Sequence, residues 1–335
     1  DSWHKGIGDN ALGNATMLEI ARVLKNNQHK LKKSVWIAWW PGHSTGRFAG
    51  STWFADHFAM ELHNNCIAQV NCESTGCINA DTYDGIMWTE DMDDFCNDLV
   101  TSVTGINPKW KRPQRAGDYS FNNIGISSFF MLSSTMSEEK KKELGYYEVY
   151  GCGGNIEWHT ENDDMRIVDE NIFLRDTKLY LAGIYRMVNE PKLPININKL
   201  LRSMKTYLNE YQSAADDIFD LRIVIDEVEN LEKSVDKLYK KADEYKDDNG
   251  KSDMFCDTIL RIIRKLIRIN YTSRAEFRHD AAAMQPPIPD LAPVLMIRSM
   301  DENEQKFLIT QLIRARNRII HILKECQQII IDILQ

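Results

Sequence analysis

The sequence has no run of about eighteen apolar residues, so nothing in its 335 residues is set to cross a membrane as a helix. It has no basic–apolar–small leader at its start. It has no excess of positive charge. With 41 Lys and Arg against 49 Asp and Glu, the formal net charge is −8, which excludes the basic footprint of a nucleic-acid binder. The seven cysteines are odd in number, and no two of them form a C-x-x-C, so they read as buried thiols in a reducing compartment. That leans the localisation toward the cytoplasm. There is no internal repeat and no low-complexity tract. What is present is ordinary for a globular chain: 43% apolar and 27% charged residues. The chain opens on Asp1 rather than Met, as expected of a processed product, one chain of a longer precursor, or a trimmed piece.

The composition shifts near residue 192. All eight tryptophans lie before it, and long charged and aliphatic stretches follow. Asn189-Glu190-Pro191-Lys192-Leu193-Pro194 reads as a hinge, because its prolines cannot continue a helix. The expected domains are therefore 1–190 and 195–335. In the first, residues 10–27 read as a helix with Asp9 or Asn10 as N-cap and Met17, Ile20, Ala21 and Leu24 on the buried stripe. Ser34 to Trp40 and Cys66 to Cys72 read as buried strands, and Ile126 to Leu132 as another. Phe48 to Leu62, Glu90 to Val103 and Asp169 to Met187 read as helices. This alternation predicts an α/β three-layer sandwich with a mostly parallel, mixed sheet. The second part is all-helical. Leu221, Val224, Val228, Leu231, Val235 and Leu238 form a heptad stripe, satisfied by a second copy in a dimer or within the chain. Helices are expected over 253–269 and 302–334, with an extended proline-rich loop at 279–299.

In an open α/β sheet, functional groups gather just after the strands. Four segments there carry polar residues of the right kind: Asp1 to Asn10, Asn71 to Gly76, Arg115 to Phe121, and Glu157 to Asp163. Asp9 is an N-cap or a functional carboxylate. Glu73 ends an apolar strand. His159 joins them, and carboxylates with a neutral imidazole are what a zinc-type site takes. Arg47 is a candidate for a substrate carboxylate or phosphate, and His4 a second substrate-facing candidate. Trp39, Trp40, Trp53 and Trp158 are pocket walls or core.

The order Asp-Ser-Trp, Gly-x-x-Asp-Asn-Ala-x-Gly with Leu-Glu-Ile-Ala-Arg, Gly-Ser-Thr-Trp, a strand-end acid, Gly-Asp-x-x-Phe with Gly-Ile-x-Ser, and Trp-His-Thr resembles peptidase family M28. The nearest branch is that of glutamate carboxypeptidase II and the transferrin receptor, whose peptidase domain is followed by a helical dimerisation domain. The resemblance implies a metal-dependent hydrolase of amide or peptide-like bonds with one or two zinc ions, or another divalent metal. It implies Asp9 as a metal-bridging ligand, Glu73 and His159 as further ligands, and Asp1 as the residue that orients a metal histidine. It places Asp118 and Tyr119 beside a small-molecule or peptide substrate. The histidine that Asp1 would orient is not in the chain. A second polypeptide carrying the N-terminal half and that histidine is the expected partner, with a dimer formed through the helical domain. Where the family has Asp-x-Glu-Glu, this sequence has Pro41-Gly42-His43-Ser44-Thr45-Gly46-Arg47. His43 is the candidate to replace the lost ligand or to act as base. The other expectation is a non-catalytic, receptor-like binding protein on the same fold.

Overall fold

A computed structural model describes residues 3–113, 119–245 and 248–335. In chain order its elements are α1 (Leu12–Asn26), α2 (Ala49–His57), α3 (Ala59–Asn65), β1 (Ala68–Val70), β2 (Asp84–Met87), α4 (Asp93–Thr104), β3 (Lys109–Lys111), α5 (Tyr119–Asn122), β4 (Ser127–Phe129), α6 (Glu138–Leu144), α7 (Glu170–Asn189), α8 (Ile197–Ala215), α9 (Arg222–Glu244), α10 (Asn249–Tyr271) and α11 (Glu302–Leu334). The chain divides into two compact units. The first holds 1–41, 69–118 and 128–194. The second holds 42–68, 119–127 and 195–335.

The first unit is α/β. β2 and β3 pair in parallel, with Asp84 opposite Lys109 and Met87 opposite Lys111, and β1 pairs with β4. Helices α4 and α7 pack on each other, as do α1 and α7. Helix α7 starts where expected because the Asp169 side chain accepts from the amides of Asn171 and Ile172, two donors that a helix start otherwise leaves open. Helix α4 stops at Gly105, whose φ of 73° suits a residue without Cβ. Trp88, Tyr83, Tyr180 and Phe130 are fully buried in the core of this unit.

That core also holds a carboxylate. Asp176 of α7 has no solvent exposure. It accepts from the Gly76 amide at 2.9 Å, the Tyr83 hydroxyl at 2.6 Å and the Ser134 hydroxyl at 2.6 Å. The Arg175 guanidinium adds a contact at 3.3 Å. Burial, then the Asp176 charge, push the Tyr83 phenol well above its usual range. The loop after β1, the turn before β2 and the segment after β4 are thus tied to one point on α7.

One expected strand of this unit is not formed, and one expected helix, in the second unit, is broken in two. Among the described residues, Ser34 to Trp40 forms no strand. Its residues alternate between exposed and half-buried, with Trp36 at 56% and Trp39 at 52% exposure. The run has a strand's length and chemistry, but among the described residues no neighbour supplies the hydrogen-bond ladder that defines one. Phe48 to Leu62 is two helices, broken at Phe58. β2 and β3 lack an apolar sequence signature and were not anticipated.

The second unit is helical. The α9 stripe Val224, Val228, Leu231, Val235 and Leu238 is fully buried, and α9 packs against α8 and α11. The heptad pattern is thus satisfied inside the chain. Helix α11 begins with a reciprocal capping box between Asp301 and Glu304. Helices α8 and α10 begin on side-chain caps from Asn196 and Asp248. The expected loop at 279–299 ends in a 3₁₀ segment over Ala292–Ser299.

All seven cysteines are free thiols, and five of them are buried. Cys326 on α11 is fully buried, and burial pushes its thiol up to about 12 from an ordinary 9. Between these values the unfolded chain releases a proton that the folded chain retains, so stability falls as pH rises through that window. The loss is on the order of 3–4 kcal/mol when complete. Urea unfolding at about pH 8 and about pH 11 is expected to show a smaller alkaline loss for Cys326→Ala than for the wild type. Equal losses would mean that the Cys326 proton is not linked to folding.

Candidate functional site

The site is built in the first unit from three segments: the turn entering α1, the loop after β1, and the loop entering α7. The last two are zipped together. The Ile78 amide donates to the Ile167 carbonyl at 2.7 Å and the Asp169 amide to the Gly76 carbonyl at 2.9 Å. Cys77 bridges to Val168. Gly76 has φ 74°, and a Cβ there would meet Phe173 at 2.6 Å, so the close approach of this loop to α7 requires glycine.

Neither Asp9 nor Asn10 caps α1. Both lie outside helical geometry, and the residue at the cap position is Ala11, which makes no side-chain cap. Their side chains are engaged over long range. The Asn10 amide nitrogen donates to the Cys72 carbonyl at 2.8 Å, and its oxygen accepts from the Ser74 amide at 3.2 Å. Asn10 thereby brackets Glu73. Oδ2 of Asp9 lies 2.8 Å from Nε2 of His159 and accepts from Nε1 of Trp158 at 3.0 Å. The two rings of Trp158 and His159 stack at 4.0 Å. Gly151 makes room for the indole, since a Cβ there would lie 2.2 Å from Nε1 of Trp158. His159 and Ser74 both have positive φ, 60° and 57°. Such left-handed backbone outside glycine is uncommon and gathers at functional sites.

The side chains of Asp9 and His159 keep 20% and 37% of their surface in solvent. They are reachable, unlike the thiols beneath them. Cys77 and Cys152 are fully buried. Burial raises both thiols, and the nearby carboxylates of Asp9 and Asp163 raise them further. Protonated thiols are neither nucleophiles nor metal ligands.

Other expected residues fall elsewhere. Asp1 and Asp118 lie outside the described residues, and of Tyr119 only the backbone is described. His4 is half-buried in the first unit. His43 and Arg47 belong to the second unit, in the loop before α2. The His43 ring packs on Phe48 at 5.0 Å. Arg47 donates to the Ala282 carbonyl at 2.9 Å, and its guanidinium lies over the Phe48 ring at 4.6 Å. Trp53, read as pocket wall or core, is 60% exposed and stacks on His57.

The model of peptidase family M28 matches residues 1–182. The chain belongs to peptidase family M28. No curated protein matches it. Members of M28 are in general metal-dependent peptide hydrolases that use zinc. The donor types at the junction fit that chemistry, since carboxylate oxygen and imidazole nitrogen are zinc ligands. Asp9 and His159 come together from 150 positions apart in an M28 chain. They supply two donors, and a zinc site takes at least three from protein. Among the described residues, no group of three or more His, Cys, Asp or Glu side chains is arranged to hold a metal ion. Glu73 is held next to Asn10 but is not gathered with Asp9 and His159 into such a group.

Proposed function

We propose that the Asp9–His159 pair is the metal-holding part of a hydrolase acting on amide or peptide-like bonds. The observation that carries this reading is the 2.8 Å contact between Asp9 and His159, two zinc-type donors on the positions that the M28 resemblance assigns to ligands. A zinc ion held there would supply Lewis acidity toward a substrate carbonyl. On this reading Asp9 and His159 bind the ion. Trp158 fixes the Asp9 carboxylate through its indole N–H. Asn10 holds the backbone on both sides of Glu73, the residue that the M28 resemblance assigns as a further ligand. His43 stands in the sequence where the family carries its Glu pair, and that position alone supports its role as the proton-transfer group. The helical region after residue 195 supports the finer placement in the glutamate carboxypeptidase II and transferrin receptor branch.

The experiment is hydrolysis of a panel of dipeptides and N-acyl amino acids by the zinc-loaded protein. Activity is expected, and His43→Ala is expected to lower kcat by about 100-fold or more, the usual contribution of a general acid–base group. Activity unchanged in His43→Ala would overturn the role of His43. A zinc-loaded protein that hydrolyses none of the panel would overturn the hydrolase reading.

A further inference from the structure

Arg264 stands in the middle of α10 and is 5% exposed. A guanidinium does not shed its proton in a protein, so its charge goes into the interior with it. Among the described residues it makes one hydrogen bond, from Nη2 to the Cys66 carbonyl at 3.0 Å. Its buried Nε–H meets no acceptor. The other cations of this stretch are paired, Lys265 with Glu325 at 2.9 Å and Arg268 with Glu276 at 2.6 Å. Arg264 has no such carboxylate among the described residues. The acid whose charge bears on it is Asp257, exposed and two turns back on the same helix. Nor does the thiol beside it serve. Burial holds Cys66 up at about 11 against the pull of the Arg264 charge, so it stays neutral.

The surroundings carry more unmet polar atoms. The segment after α5 sits directly on α10: Gly125 has φ 85°, and a Cβ there would lie 2.3 Å from the Arg264 carbonyl oxygen. On that segment Asn122, Asn123 and Ser127 are each at most 2% exposed. Neither side-chain amide, nor the Ser127 hydroxyl, has a hydrogen-bond partner among the described residues. Nδ1 of His63, on α3, is buried and unpartnered as well. Burial first, and then the Arg264 charge, push the His63 imidazole below its ordinary range, while Glu276 pulls the other way. A buried charge is tolerated when it is paired, and a buried amide when it is bonded. Both shortfalls fall in one region, where 122–127 lies on α10.

We propose that a small monovalent anion, of halide size, binds at Arg264 between α10 and the segment 122–127. One positive charge is left over there, and one negative charge balances it. The close seating of Gly125 on the helix favours a small ion over a carboxylate or a phosphate. A halide also accepts from N–H and O–H groups in any direction, and Arg264, Asn122, Asn123 and Ser127 supply such donors. A water carried in with the ion donates to the amide oxygens. Bound there, the ion ties 122–127 to the central helix of the second unit. The hydrolase reading plays no part in this, since every group named belongs to the second unit.

The test is thermal unfolding of the full chain, purified in sodium gluconate and followed at fixed ionic strength as chloride or bromide replaces gluconate. The wild-type midpoint is expected to climb by a few degrees between about 1 mM and about 100 mM halide, as for any ligand bound by the folded state alone. Arg264→Met is expected to abolish the climb. Arg261→Met, at an exposed position one turn earlier, is expected to leave it intact. Equal wild-type midpoints in halide and gluconate would overturn the proposal. A climb that survives in Arg264→Met would overturn it too, since salt would then be acting on the whole surface. If Arg264→Met does not fold, the wild type alone decides. The chloride magnetic-resonance line is expected to broaden with the protein present and to sharpen again as bromide is added, and an unbroadened line would overturn the proposal.

Discussion

Asp176→Ala is expected to cost about 3–5 kcal/mol of folding free energy, the scale of removing one partner from a buried charged network. The substitution strips the acceptor from three groups at once: the Gly76 amide, the Tyr83 hydroxyl and the Ser134 hydroxyl. None of the three has water to turn to, because Tyr83, Ser134 and the segment around Gly76 are all buried. Each unmet donor then carries its own desolvation penalty. Asp176→Asn is expected to cost less, since one oxygen remains to accept, while its amide N–H₂ group faces donors and gains nothing. Urea denaturation of the two variants beside the wild type measures this. A loss below about 1 kcal/mol for Asp176→Ala would show that the network relaxes without its centre. Because Gly76 belongs to the loop that follows Glu73, the same substitution is also expected to loosen the site.

The second large effect is on metal binding. Asp9→Ala and His159→Ala are each expected to weaken zinc binding by more than about 100-fold, beyond the range reached by altering an outer hydrogen-bonding partner. Trp158→Phe removes the indole donor from Asp9 and keeps the ring stack on His159. It is expected to weaken binding by about 10-fold, the lower end of that range. Isothermal titration with zinc ranks the three. The order ligand, ligand, then Trp158 is the expectation. A Trp158→Phe protein that binds as weakly as Asp9→Ala would mean that the indole acts by more than orienting the carboxylate.

The parts of this molecule that were legible in the sequence are those whose partners are close in the chain or repeat with a period. The α9 stripe showed itself by three–four spacing, because each of its residues meets the same neighbouring helices turn after turn. The start of α7 was legible because Asp169 caps amides two and three residues away. Asp9 was ambiguous for the converse reason. Asp-Asn ahead of an apolar periodic run is the pattern of a helix cap, yet the partners of both side chains are 62 to 150 positions away. No local pattern carries such pairings, and only the family resemblance pointed to Asp9. Asp163 is fully buried and accepts from the Gly8 and Asp9 amides, and it was missed although it sits in the Glu157–Asp163 segment singled out for His159. A lone acid in an acidic loop has no feature that separates a buried clamp from a solvated side chain. The strand expected at Ser34 to Trp40 failed because apolar length alone does not guarantee a neighbouring strand. β2 and β3 were not seen, since Asp-Gly-Ile-Met and Lys-Trp-Lys have little of the β-branched, alternating character that marks a strand.

The central claim is that Asp9 and His159 hold a divalent metal ion. Elemental analysis of the protein purified without chelators tests it most directly, with Asp9→Ala prepared in parallel. The account predicts about one or two zinc-type ions per wild-type chain, and little in the variant. A wild type free of metal, or one carrying no more than Asp9→Ala, would contradict it.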